Sequence, residues 1–336
     1  MSRPSIVVIG GGTGNFNVLS GLKAHDVDLT AIVAMSDSGG SSGRLRDELG
    51  QLPPGDVRQC LVALADAEQS TVIRRLFTHR FTGGVGLNGH NVGNLLIAAL
   101  TEITGGPERA IEAASRLLNI RGQVLPVTLS DTHLHAVLTD GNELATEGLI
   151  DERGTEPGVE IDYVFLKPVA YAFPPAVEAI TRADLVVMAP GDLYTSLIPN
   201  LLVEGIPEAL HETRATVVYV ANLMTKAGET DGFTCESFLS EVTRYLGSPD
   251  RLDTVVVNST EFTDRVLGRY AQMGAAPVTY DTARLGKMAS RVVEKDLVAE
   301  GVFVRHDPER LASVLLSLLP VPSRSRGARE GSAAGS

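Results

Sequence analysis

The stretch Ile6-Val7-Val8-Ile9-Gly10-Gly11-Gly12-Thr13-Gly14 decides how this chain folds. Four consecutive β-branched residues are the pattern of a strand buried on both faces. The glycines that follow let the backbone turn sharply and come close to a ligand. Phe16, Leu19 and Leu22 then recur at helical spacing within residues 15–23. A second apolar run, residues 29–35, ends at Ser36-Asp37 and a Gly/Ser loop over residues 38–43. Together these segments read as a strand–helix–strand unit of a parallel sheet. The first loop is not a full dinucleotide fingerprint, because Asn15 stands where the last glycine belongs. No Lys-Ser/Thr pair follows either, so it is not a Walker A loop.

Beyond that unit, residues 44–120 read as mostly helical, with helices at 91–103 and 107–118 and Asp56 as a cap. Residues 123–166 read as a β-hairpin excursion with strands at 124–127, 133–139 and 159–166. Asp140-Gly141-Asn142 supplies its turn. Alternation then resumes: helix 174–182, strand 184–188, helix 204–213, strand 216–220, helix 235–246, strand 254–258 and a closing helix 309–319. The expected fold is a single three-layer, Rossmann-like α/β domain over residues 1–319. Its sheet is mostly parallel, with the excursion attached and a disordered tail over residues 320–336.

The chain has 336 residues and a net charge of −12, which argues against a broad nucleic-acid surface. Trp is absent and aromatics are 5%, while hydrophobics reach 43%, so Val, Ile, Leu and Ala must build the core. Cys60 and Cys235 lie far apart and form no CxxC, which excludes a disulfide framework or zinc ribbon. No apolar run is long enough to span a membrane, and a cytoplasmic protein is expected.

Parallel sheets bind ligands at the carboxyl ends of their strands. Four polar, glycine-rich loops fall there: residues 10–14, 36–43, 189–196 and 222–232. In the first, Gly11, Gly12 and Gly14 offer backbone N–H groups to an anion, and Thr13 and Asn15 add side-chain donors. In the second, Asp37 suits a ribose hydroxyl or a divalent metal, and Ser38, Ser41, Ser42 and Arg44 offer further contacts. His90 and Asn94 lie at a glycine-framed helix entry, where Asn91 also suits an N-cap. Gly191, Asp192, Thr195 and Ser196 resemble another anion or sugar cradle, and Asn222 and Asp231 mark the fourth loop. His133 and His135 share a strand face, but no third metal ligand accompanies them. Neither a Ser-His-Asp order nor a GxSxG elbow stands out, so no catalytic residue and no metal site is assigned.

Taken in order, these motifs resemble one family. They include Gly10-Gly11-Gly12-Thr13-Gly14, Gly39-Gly40-Ser41-Ser42-Gly43-Arg44, Pro54-Gly55-Asp56-Val57-Arg58 and Gly89-His90-Asn91-Val92-Gly93-Asn94. Pro190-Gly191-Asp192-Leu193-Tyr194-Thr195-Ser196, Gly228-Glu229-Thr230-Asp231-Gly232 and Val304-Arg305-His306-Asp307 complete the set. The sequence resembles the YvcK-type gluconeogenesis factors, relatives of the CofD 2-phospho-L-lactate transferases, over about residues 5–319. The resemblance implies a UDP-sugar ligand such as UDP-N-acetylglucosamine, with NAD or GDP as alternatives. It implies a role in cell shape and in carbon flux into cell-wall precursors, and it adds Arg305 to the ligand-site candidates. A homodimer and a protein partner in cell-wall regulation fit that role. The transferase relatives imply a second reading, in which a phospholactyl group joins a deazaflavin with Mg²⁺. The family carries two adjacent acids before Gly-Gly-Ser-Ser-Gly, whereas this chain has Asp37-Ser38. One carboxylate holds Mg²⁺ less well than two, which favours a binding protein over an enzyme.

Overall fold

The computed structural model describes residues 3–66, 71–299, 301 and 303–320. Ten strands run in chain order: β1 (Ser5–Gly10), β2 (Asp28–Val33), β3 (Gln123–Pro126), β4 (His133–Leu138), β5 (Glu143–Leu144), β6 (Ile161–Lys167), β7 (Leu185–Met188), β8 (Thr216–Val220), β9 (Thr254–Asn258) and β10 (Arg291–Lys295). Seven of them form one sheet in the order β10-β9-β8-β7-β1-β2-β3, and every neighbouring pair is parallel. The chain leaves β1 toward β2 on one side and later returns to β7 on the other. Strand order therefore reverses between β1 and β7, and a crevice opens beyond their carboxyl ends.

Residue chemistry explains the centre of the sheet. Ile6, Val7, Val8 and Ile9 are fully buried, as are Leu185 to Met188 and Val217 to Val220. Helices cover both faces, as a parallel sheet requires. The helix Gly12–Leu22 presses Val18, Leu19 and Leu22 into the core. At Gly21 it packs so closely on the helix Pro308–Leu316 that a Cβ would lie 2.0 Å from the Pro308 carbonyl oxygen.

The excursion is smaller than the sequence suggests. The strand expected at 124–127 is β3 (Gln123–Pro126), the edge of the main parallel sheet, and not part of the excursion. A short apolar run does not reveal which sheet it joins, and here Val124 and Leu125 are buried by the main fold. The excursion proper is the antiparallel sheet β5-β4-β6 with the short helix Glu147–Asp151. In β4, Leu134, Ala136 and Leu138 face inward, alternating with His133, His135 and Val137. β10 and the helices Asp264–Gln272 and Thr282–Met288 were not expected from the sequence. β10 is an edge strand bearing Arg291, Glu294 and Lys295, so it shows no buried apolar run.

Cys60 and Cys235 are free and buried. Among the described residues no helix is long and apolar enough to cross a membrane. The expected disordered tail falls on residues 320–336, of which 321–336 lie outside the described residues.

Candidate functional site

All four polar loops gather at the crevice, around a cavity of about 590 Å³. That volume suits a small-molecule ligand. The first and third loops are in direct backbone contact: a Cβ on Gly14 would sit 1.4 Å from the Pro190 carbonyl oxygen. Only glycine allows this approach. The Asn222 side-chain amide donates to the Gly191 carbonyl at 2.7 Å and accepts from the Tyr219 hydroxyl at 3.2 Å, fixing the fourth loop to the third.

The helix Gly12–Leu22 points its N-terminus into this cavity. Its N-cap residue is Gly11, in extended conformation and with no side chain of its own to cap the helix, while the Asp56 carboxylate accepts from Gly12 N. Uncapped N–H groups at a helix start carry partial positive charge and suit an anion. Across the cavity, the single π-helical turn Leu193–Leu197 presents Thr195 and Ser196. Arg305 reaches the wall from the far end of the chain and has no ion-pair partner among the described residues.

Carboxylates face these donors. Asp37, Asp56, Glu147 and Asp192 all line the cavity. Asp56 does not cap its helix: it lies in the first turn of Gly55–Leu64, behind the N-cap Pro54. Its carboxylate lies against the glycine loop, where a Cβ on Gly11 would meet Asp56 Oδ2 at 2.1 Å. Burial, reinforced by the Asp37 charge, pushes Asp56 up to about 7, against a backbone hydrogen bond from Gly12 and the Arg58 charge. Asp37 sits beside Gly55, where a Cβ would lie 2.5 Å from Asp37 Oδ2, and accepts from Gly39 N at 2.8 Å. Burial raises Asp37, opposed by its hydrogen bonds with Gly39, Ser42 and Glu147. Glu147 is raised by burial and then by the Asp37 charge, so it is the partner that carries the proton at their contact.

His306 closes one end of the cavity. It is buried, and burial pushes its pKa down to about 4, against a hydrogen bond with the Ala221 backbone. Its Nε2 has no hydrogen-bond partner among the described residues. The ring is therefore neutral at ordinary pH.

Of the residues singled out from sequence, Gly11, Gly12, Thr13, Gly14, Asp37, Gly191, Asp192, Thr195, Ser196, Asn222 and Arg305 line the cavity. The others lie outside the wall. Asn15 is buried against Cys60 Sγ at 3.7 Å. Ser38 Oγ accepts from Gly148 N at 2.9 Å. Ser41 bonds His90 Nδ1 at 3.2 Å, and Ser42 accepts from Asn94 at 3.4 Å. Arg44 donates to the Asn88 carbonyl on the exposed surface, away from the cavity. Asp231 accepts from Gly228 N at 2.7 Å and Thr155 Oγ1 at 2.7 Å. His135 pairs with Glu143 at 2.7 Å and stacks on Phe165, and among the described residues no metal-ligating group includes it.

Sequence reading missed Glu147, Lys226 and Tyr270 and gave Asp56 a different role. Tyr270 offered a faint signal only, but it positions the arginine segment: its hydroxyl accepts from Val304 N at 2.9 Å.

The fold and the crevice define an α/β protein of the Rossmann-like class with a polar cavity at its switch point. Comparison with known proteins is more specific. Residues 6–298 match the family described as 2-phospho-L-lactate transferase CofD. The gluconeogenesis factor of Bacillus subtilis is 41% identical over 94% of this chain and 98% of its own length. A Nostoc relative is 45% identical over 93% of this chain and 68% of its own length. The crystal structure of a UPF0052-family protein from Bacillus halodurans superposes with a TM-score of 0.87 at 41% identity, covering 94% of this chain and 99% of that one. The chain belongs to the YvcK-type gluconeogenesis-factor family (UPF0052), within the CofD group.

Proposed function

We propose that this protein binds a nucleotide sugar of the UDP-N-acetylglucosamine type and uses it as a regulatory signal. The response is control of gluconeogenic growth, carbon flux into cell-wall precursors and cell shape. The observation that carries the reading is the glycine-rich helix start at Gly11 to Gly14, set in the switch-point crevice opposite Thr195 and Ser196. The diphosphate would take backbone N–H groups there, with Arg305 as its counter-charge. Asn222 is already held by Gly191 and Tyr219, so it shapes the wall beside the sugar. The relatives named gluconeogenesis factors support the metabolic role.

A divalent cation would extend this reading by drawing together carboxylates that do not meet within 4.8 Å as a group of three among the described residues. The sequence offers one carboxylate at Asp37-Ser38, whereas the fold adds Asp56 and Glu147 to the same wall. Hard oxygen donors of this kind suit Mg²⁺, which binds readily through a few carboxylates plus substrate phosphates. Asp37, Asp56 and Glu147 would hold it, and it would offset the charge of a diphosphate among acids.

The same carboxylates support a second reading as a transferase. A second cavity of about 500 Å³, apolar where Leu223, Val257, Phe262 and Pro277 line it and polar at Asn258 and Thr260, adjoins the first and offers room for a ring system. Calorimetry separates the two readings. The panel is UDP-N-acetylglucosamine, NAD, GDP and a deazaflavin, each with and without Mg²⁺. Saturable binding of the UDP-sugar supports the regulator, whereas binding of the deazaflavin alone, with Mg²⁺, replaces it by the transferase.

A further inference from the structure

Lys226 lines the cavity and looks like a phosphate ligand. Counting its donors gives a different role. An ammonium has three N–H groups. Lys226 Nζ meets Asp192 Oδ2 at 2.8 Å, Glu229 Oε1 at 2.6 Å and Asp151 Oδ1. All three donors are spent on carboxylates. Burial alone would lower its pKa, but the charges of Glu229 and Asp192 and hydrogen bonds with Asp151 and Asp192 overcome this and hold it raised. The three carboxylate oxygens lie within 4.8 Å of one another, so the ammonium stands where a small cation would otherwise be needed.

The partners come from different parts of the fold. Asp192 follows β7 and Glu229 lies in the loop after β8, but Asp151 ends the excursion helix Glu147–Asp151. The start of that helix is fastened across the crevice. Ser38 N, just after β2, donates to Glu147 Oε2 at 3.2 Å, and Gly148 N donates to Ser38 Oγ at 2.9 Å. Beyond its end, Arg153 donates to the Gly228 carbonyl at 2.6 Å and Thr155 to Asp231 at 2.7 Å. Gly228 packs so tightly there that a Cβ would lie 2.2 Å from the Arg153 carbonyl oxygen. One short helix thus straps the two halves of the sheet together at the switch point.

We propose that Lys226 is a positioning residue: its ammonium closes this strap and so seats Glu147 beside Asp37, and it is not a ligand of the bound phosphate. The ligand arm of the test rests on the nucleotide-sugar reading, whereas the strap itself is tested without any ligand. Lys226→Met, Asp151→Asn and the double variant are compared by hydrogen exchange of the ligand-free protein and by calorimetry with UDP-N-acetylglucosamine. Asp151 is exposed and lies outside the cavity wall, so Asp151→Asn keeps the fold even if Lys226→Met does not. In both single variants, exchange of the amides at 147–153 accelerates by about tenfold. Affinity falls by about tenfold in each, and the double variant is no weaker than the worse single, as for two groups acting through one contact. A loss of affinity in Lys226→Met with Asp151→Asn unchanged in both readouts overturns the proposal and makes Lys226 a phosphate contact. If the wild-type protein gives no binding heat, the nucleotide-sugar reading fails on its own account. The exchange data then decide alone, and unchanged exchange at 147–153 in Asp151→Asn rejects the strap.

Discussion

At the scale of single residues, Gly14 and His306 carry the sharpest consequences. A methyl at position 14 must displace the Pro190 carbonyl, because the two would be 1.4 Å apart. Gly14→Ala is therefore expected to cost about 3 kcal/mol in chemical denaturation and to open the joint between the first and third loops. His306 is neutral when folded, with its pKa near 4 against an ordinary value of 6.5. The unfolded chain binds this proton first, so the stability tied to His306 is complete above pH 6.5 and is lost as pH falls toward 4. The loss is at most about 3 kcal/mol. Urea midpoints measured from pH 7 to pH 4 should show a smaller fall in His306→Gln than in the parent protein. The loop glycines and Asp37 were legible in the sequence because their types announce ligand loops, whereas Arg305 entered only through the family resemblance. Glu147 and Lys226 were not, because each gains its meaning from a neighbour distant in sequence, Asp37 for Glu147 and Asp151, 75 residues away, for Lys226.

At the scale of elements, caps and edges explain what could be read. The helix Val92–Thr104 begins where Asn91 predicts, and the Asn91 side chain accepts from Gly93 N and Asn94 N. Asn91→Ala should lower stability by about 1 kcal/mol in thermal or urea unfolding. Asn94 one turn later supports Ser42, which bonds Asp37, so the same variant should also weaken ligand binding slightly. The strands at 216–220 and 254–258 were legible to the residue because they are buried apolar runs. β10 was not, because an edge strand needs no such run, and β3 was assigned to the wrong sheet because sheet membership is a long-range property.

At the scale of the molecule, a net charge of −12 surrounds the site proposed to take an anion. The fold resolves this locally. A helix start and Arg305 provide positive potential, Lys226 offsets part of the charge of the three acids it pairs with, and burial raises Asp56 and Glu147 so that both hold protons more readily in the absence of a cation. If Mg²⁺ accompanies the ligand, it must displace those protons, so its affinity should rise as pH increases through about 7. Glu147→Gln should weaken Mg²⁺ binding in the presence of UDP-N-acetylglucosamine by about tenfold, read by calorimetry. The central claim is that the diphosphate lies at the switch point between β1 and β7. A crystal structure of the complex with UDP-N-acetylglucosamine and Mg²⁺ tests it most directly. The account predicts phosphate oxygens within hydrogen-bond distance of the backbone N–H groups at Gly11 to Gly14 and of Thr195 or Ser196. Phosphates seated instead in the apolar cavity beside Val257 and Phe262, with the glycine loop empty, would contradict it.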